Sequence, residues 1–310
     1  MVSVSCMAYN HEKYIRKCLD SLVNQKVNFL YEILVHDDAS TDHTQAIIKE
    51  YEKKYPNLIK PIYQTENQYS KGKPLNINIQ RAKGKYIAIC EGDDFWTSPE
   101  KLQKQVDFLE SHNDYSICGH AAYYAKENGS INEKDLFAYA KQSCTIPIED
   151  VIGKWCFSTN SIMYRRALRP LEIPYRKNCK NGDYALTTFL AFKGKVYYMK
   201  EAMSAYRVNS IGSLNDRWRK NPDLRKKDRL EYINMLHRMD EYTNQKYHDI
   251  IDAYARKVAF DLCCSLGDFE NMKKYPDHYA SLSALKKLRI YVKKRSPRFY
   301  ETVKKFVKGY

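Results

Sequence analysis

The feature that most constrains this chain is the stretch YIAICEGDDFW, running from Tyr86 to Trp96. Its first half, Tyr86 to Cys90, is apolar and β-prone, the composition of a strand buried on both faces. Glu91, Asp93 and Asp94 then put three carboxylates at the strand's end. Burial on both faces requires helices above and below a sheet. Clustered carboxylates raise one another's pKa values unless something positive sits among them. The fold must therefore supply a covered sheet and a reason for acids at its rim.

The rest of the sequence fits that demand. VSVSCMAY, YEILVHDD, LIKPIYQ and KYIAIC read as four strands, the third demoted by Pro61 to an edge or irregular segment. Between the first two, Tyr14, Ile15, Cys18, Leu19, Leu22 and Val23 recur at helical spacing, and Asn10 is placed to cap that helix. Ser40, Thr41 or Asp42 is placed to cap the next, which carries Ile47, Ile48, Tyr51 and Tyr55 and stops at Pro56. Ser98-Pro99 reads as the N-cap and first residue of a helix buried through Leu102, Val106 and Leu109. Strands alternating with helices predict an α/β fold with a mostly parallel sheet. From residue 113 to 215 the pattern is mixed. YSICGHAAYY and KVYYMKEAMSAYRV are strand-like, and GDYALTTFLAF is helical. Beyond residue 217 the chain reads as helices, the last starting at Ser296-Pro297.

Composition narrows the class. At 310 residues, 44% hydrophobic and 29% charged, the chain has the material for a globular core and is not disordered. No apolar run approaches the roughly 18 residues that cross a bilayer. MVSVSCMAYN lacks the basic and apolar regions of a signal peptide, which points to a cytoplasmic protein. Nine cysteines without a C-x-x-C pair read as reduced thiols, not a zinc site. Charge is unevenly placed: from Arg217 onward 23 Lys and Arg face 12 Asp and Glu, a net +11 of the chain's +15. That tail suits an anionic partner such as phospholipid head groups or a lipid-linked phosphate, with a solvated helical surface as the plain alternative. No nucleic-acid module is recognisable, so nucleic acid is not expected.

In an open parallel sheet, ligands sit beyond the carboxyl ends of the strands. Three of the first four strands end in polar groups: Tyr9-Asn10, Asp37-Asp38 and Glu91-Asp93-Asp94. These ends converge on one edge, where a hard divalent cation, Mn²⁺ or Mg²⁺, relieves the repulsion and completes its shell with substrate phosphates.

The residues on that edge also resemble a known family. VSVSCMAYNHEKYIRKCLDSLVNQ, ILVHDDASTDHT and AKGKYIAICEGDDFWTSPEKLQKQVDFL closely resemble the family 2 inverting glycosyltransferases with a GT-A fold, of the type that builds bacterial surface polysaccharides. NGDYALTTFLAFKGKVYYMKEAMSAYRV resembles the acceptor half of that family. The resemblance implies a Rossmann-like GT-A domain with a nucleotide-sugar-binding half at 1–112 and an acceptor-binding half at 113–215, then a basic helical extension at 216–310. By position, it implies that Met7 and Tyr9 pack the donor's base and ribose. Asp38 would hydrogen-bond the base, or cap the following helix. Lys73 would meet the base or diphosphate. Glu91 and Asp93 fill the D-x-D pattern, with Asp93 on the metal and Glu91 on ribose or metal-bound water. Asp94 would bind the metal or orient its neighbours. Trp96 would line the sugar pocket or cover the sheet edge.

On the acceptor side, Asp183 matches the general base and also stands at a helix start. Trp155, Ser158 and Thr159 would read the acceptor or donor sugar, or be plain strand and turn. Arg207 would contact the diphosphate or form an ordinary ion pair. Many relatives carry a histidine where this chain has Asn209, which can still offer a metal a carbonyl oxygen. The implied reaction moves a sugar from a nucleoside diphosphate, UDP favoured, to a hydroxyl of a glycan or of an oligosaccharide on a polyprenyl diphosphate. A GT-A-like binding protein with weak catalysis is the alternative, since Glu91 and Asn209 both depart from the pattern. The basic C-terminal helices would rest on an anionic membrane at the inner face of the plasma membrane, or pack on the body or a second subunit of a homodimer.

Overall fold

The computed structural model describes residues 1–69, 74–208, 210 and 213–296. Lys73, Asn209 and the helix expected from Pro297 onward lie outside the described residues. The chain divides into two compact units, Met1–Asp216 and the residues from Arg217 onward.

The first unit runs β1 (Val2–Ala8), α1 (Ile15–Val23), β2 (Tyr31–Asp37), α2 (Thr44–Lys54), β3 (Ile59–Tyr63), α3 (Pro74–Arg81), β4 (Tyr86–Ile89), β5 (Phe95–Trp96) and α4 (Lys101–Ser111). It continues β6 (Tyr115–Ala125), β7 (Ile131–Phe137), β8 (Cys144–Ile146), α5 (Ile148–Gly153), β9 (Met163–Arg165), α6 (Gly182–Ala191), β10 (Lys195–Arg207) and α7 (Leu214–Lys220), which reaches the division between the units.

One sheet orders these strands β3-β2-β1-β4-β9-β6-β10-β5, with β7 on β6 and β8 on β10. Pairing of β1 with β2 and β4, and of β2 with β3, is parallel. Pro61 thus falls on an edge strand, where a missing N–H costs least. Farther along, β9 runs antiparallel between β4 and β6, and β6 pairs parallel with β10. The sheet is therefore mixed, its parallel half built from the alternating strands and helices.

Alternation along the parallel strands sets the layers. Val2, Val4, Cys6 and Ala8 of β1, with Ile33 and Val35 of β2, pack into one core with Ile15, Cys18, Leu19 and Leu22 of α1, Ile48 of α2 and Leu102 of α4. Each of the Val, Leu and Ile side chains contributes roughly 1.5–3 kcal/mol by leaving water. The opposite face meets α3, whose buried Asn78 donates to Ser5 Oγ at 3.1 Å and to the Leu34 carbonyl at 2.9 Å.

Several local details differ from the sequence reading. Asn10 does not cap α1. It takes a left-handed φ of 54° and its Oδ1 accepts from Thr41 N at 2.8 Å, tying the loop after β1 to the loop after β2. The helix expected from Pro99 begins at Lys101. The polar INEKDLF forms β7, because pairing with β6 supplies the hydrogen bonds that its sequence does not announce.

Lys101 is fully buried, its Nζ donating to Gln105 Oε1 at 2.7 Å and lying 4.1 Å from the Trp96 ring centroid. Burial pulls its ammonium down from 10.5 to about 7. A folded-state value below the unfolded one penalises the fold fully below pH 7 and releases it progressively toward pH 10.5. Lys101→Met should therefore raise the melting temperature more at pH 6 than at pH 9, by a stabilisation on the order of a few kcal/mol at the lower pH. Equal shifts at both pH values would contradict it.

In the second unit, α8 (Pro222–Tyr242) and α9 (His248–Leu266) are followed by α10 (Phe269–Met272), α11 (Pro276–Ala280) and α12 (Ala284–Arg295). Tyr232, Met235, Leu236 and Met239 form the buried stripe of α8, and Ile251, Tyr254, Ala255 and Val258 that of α9. Tyr232 Oη donates to Tyr254 Oη across the pair. Among the described residues, no helix is long and apolar enough to cross a membrane.

Candidate active site

Parallel register puts the ends of β1, β2 and β4 on one edge of the sheet, where Ala8 pairs with Asp37 and Ser5 with Ile89. The chain after β4 turns back toward β1. Gly92 N donates to the Met7 carbonyl at 2.7 Å. A Cβ at residue 92 would lie 2.8 Å from His11 Nδ1 and 3.0 Å from the Met7 carbonyl oxygen, so this turn demands glycine.

That turn gathers Glu91, Asp93 and Asp94, whose ligand oxygens lie within 4.8 Å of one another. Among the described residues it is the one group of three His, Cys, Asp or Glu side chains so close. Burial, then Asp93 and Asp183, push the Glu91 carboxyl up to about 8. Burial, then Asp93 and Glu91, push Asp94 well above the carboxylate range, against the pull of Arg207. Such a donor set, all oxygen, mutually repelling and partly buried, fits a hard divalent cation, which would lower these pKa values again.

The three acids are held differently. Asp94 is buried and both oxygens are engaged: Oδ1 accepts from Arg207 N at 2.7 Å and Oδ2 from Asn160 Nδ2 at 3.0 Å. Among the described residues, Asp93 accepts at Oδ2 alone, from Ser210 Oγ at 2.7 Å. The Glu91 carboxylate accepts no hydrogen bond from the described residues.

Asp183 opens α6. Its Oδ1 accepts from Tyr184 N at 2.9 Å and its Oδ2 from Thr159 Oγ1 at 3.1 Å. Burial raises its pKa, opposed by those two donors. Its charge reaches Glu91, so the acid in the first turn of α6 and the acids after β4 share one field. Asp38 is nearly buried, and its carboxylate accepts from Gln68 N and from Tyr69 N, so it organises the 67–69 loop. Met7 is half-buried and Tyr9 is 45% exposed beside it.

Two expected site residues are buried. Trp96 is 4% exposed and belongs to the core, its Nε1 donating to the Asn160 carbonyl at 3.0 Å. It covers the sheet edge, the other of its two readings. Arg207 is 3% exposed, its Nε donating to the Asp93 carbonyl at 2.7 Å and its Nη1 to the carbonyls of Lys126 and Glu127. Its guanidinium clamps backbone. Trp155 is 37% exposed with its ring 5.9 Å from Tyr184. Ser158 is buried, donating to Asn160 Oδ1 at 2.8 Å, a structural contact.

Two residues escaped the sequence reading. Asn160 is fully buried, gripping Asp94 and the Ala205 carbonyl through Nδ2 while its Oδ1 accepts from Ser158 and Ser204. Tyr206 is half-buried near the end of β10, and burial together with Asp94, Glu91, Asp93 and Asp183 keeps its phenol protonated. Only the position of Tyr206 beside Arg207 in SAYRV hinted at it. Nothing in the sequence marked Asn160.

The fold and the acidic turn at its strand edge define a GT-A architecture. The chain belongs to Glycosyl transferase family 2, whose profile matches residues 3–200. It is similar to the Minor teichoic acid biosynthesis protein GgaB of Bacillus subtilis, 31% identical over 219 residues, 68% of this chain and 23% of that one. Among solved structures, S. aureus TarS 1-349 in complex with UDP-GlcNAc matches with a TM-score of 0.58 at 18% identity, covering 94% of this chain and 79% of that one. Mannosyltransferase PcManGT from Pyrobaculum calidifontis, in complex with GDP-Man and Mn²⁺, gives 0.58 at 16% identity, covering 97% and 82%. The chain spans less than two thirds of the length of the curated relatives it matches.

Proposed function

We propose that the protein is a metal-dependent inverting glycosyltransferase that moves a sugar from a UDP-sugar to a hydroxyl of a glycan or polyprenyl-diphosphate-linked acceptor in surface-polysaccharide synthesis. The observation that carries this reading is the meeting of Glu91, Asp93 and Asp94 with the field of Asp183 at one strand edge. The UDP preference draws on the UDP-GlcNAc complex of TarS, and the polysaccharide setting on the name of GgaB.

Asp93 and Glu91 carry the free carboxylate oxygens and would hold Mn²⁺ or Mg²⁺. Bound there, the cation supplies charge stabilisation for the departing nucleoside diphosphate. Asp94 orients the turn, with Arg207 and Asn160 as its braces. Met7, Tyr9 and Asp38 form the nucleoside side. Lys73 and Asn209 keep the diphosphate and metal roles that their positions in the family pattern suggest. Asp183 takes the acceptor proton as the hydroxyl attacks the anomeric carbon opposite the leaving group. Its raised pKa suits a base working near neutral pH. Trp155, exposed above α6, offers a face for an acceptor sugar, and Thr159 orients the base. In this reading residues 1–112 serve the donor and 113–215 the acceptor. The basic C-terminal unit approaches an anionic membrane from the cytoplasmic side.

The test is release of UDP from a panel of UDP-sugars with and without Mn²⁺, alongside GDP- and dTDP-sugars. Mn²⁺-dependent turnover of a UDP-sugar is expected. Nucleotide binding without turnover of any donor would leave a binding protein. A finer test addresses Thr159. Thr159→Val removes a donor to Asp183 Oδ2 and should lower kcat about tenfold, with the donor KM unchanged and Thr159→Ser restoring the rate. An unchanged kcat would remove Thr159 from the base's support.

A further inference from the structure

Helix α12 turns an apolar face to solvent. Leu285, Leu288 and Tyr291 are 61%, 56% and 56% exposed, and with the half-buried Val292 they follow helical spacing along one side. Ile290, on the opposite side of the helix, is also half-buried. Arg289 borders the exposed stripe on one flank, and Lys287 and Lys294 on the other. The helix carries six Lys and Arg and no acidic residue, and none occurs between Asp277 and Glu301. Ser283 fixes its start by accepting from Lys286 N.

These features select one occupant. Two copies pairing through this face would bring two uncompensated sets of positive charge together, a repulsion that an apolar strip this narrow does not offset. A bilayer with anionic head groups presents the complement: acyl chains for Leu285, Leu288 and Val292, and phosphate for the flanking cations, with Tyr291 at the polar boundary. We propose that α12 lies in the plane of an anionic membrane surface and is the segment through which the C-terminal unit docks there. This extends the membrane approach suggested above to named residues, and it stands apart from the transfer chemistry.

The experiment is co-sedimentation of the full chain with vesicles of phosphatidylcholine alone and of phosphatidylcholine mixed with phosphatidylglycerol. Binding only to the mixed vesicles is expected. A triple variant, Leu285→Ser with Leu288→Ser and Tyr291→Ser, should weaken it about tenfold or more at an unchanged melting temperature. Arg289→Glu with Lys294→Glu keeps the apolar stripe and should lose the preference for anionic vesicles, which separates docking from misfolding. Mn²⁺-dependent UDP release should be retained in both variants, so failure here is distinguishable from failure of the transferase reading. Wild-type protein that ignores the mixed vesicles, or a triple variant that binds them equally well, overturns the proposal. So does a wild-type dimer that the triple variant dissolves without any vesicle binding, which would assign the stripe to self-contact.

Discussion

Asp183→Asn should abolish sugar transfer, lowering kcat by about 10³-fold, the range expected when a general base is removed. Nucleotide affinity should stay within about twofold of wild type, because the Asp183 carboxylate contacts Thr159 and the start of α6 and not the strand-end turn. The substitution is nearly isosteric. An amide at residue 183 can still accept from Tyr184 N, so the helix start survives while the proton acceptor is lost. Calorimetry with UDP beside a transfer assay reads both quantities. Because the proposed base must be ionised to act, and burial raises its pKa, wild-type kcat/KM should fall as pH drops through a value above that of a free aspartate. Turnover by the variant within about tenfold of wild type would move the base elsewhere.

The second large effect belongs to the acids after β4, and it separates residues that sequence alone leaves equivalent. Asp93→Ala should remove Mn²⁺-dependent UDP release, by about 10²-fold or more, with little change in melting temperature, since its carboxylate accepts a single hydrogen bond from the described residues. Chelation of the cation from wild-type protein should reproduce that loss. Asp94→Asn should behave differently. Both Asp94 oxygens accept from buried donors, and an amide nitrogen would face one of them, leaving unpaired groups worth about 1–3 kcal/mol and a melting temperature lower by several degrees. Equal stability of the two variants, or an Mn²⁺ response that survives Asp93→Ala, would reverse these roles.

The parallel half of the sheet was legible because its demands are local. A buried strand needs a continuous apolar run, its covering helices need apolar residues at helical spacing, and strand-end acids follow from parallel direction. The fate of individual side chains was less so. Trp96 follows directly on the acids, and sequence could not choose between a pocket wall and the core. The choice is made by Lys101 beneath its ring and by the Asn160 carbonyl, 64 residues away. Arg207 reads as a free cation until three backbone carbonyls are seen to take its donors. The polar β7 is set by its partner β6, and a strand imposed by its neighbour carries no signal of its own.

The turn Thr159–Ser161 has a consequence for specificity. Its first residue grips Asp183 and its second grips Asp94, so the proposed base and the acidic turn after β4 are fastened to adjacent peptide units. Jostling of one carries the other along, and the gap an incoming hydroxyl must fit is gauged by a single short piece of backbone. New acceptors would then be accommodated by reshaping exposed ground such as that around Trp155, while changes at residues 159 and 160 would slow every substrate alike.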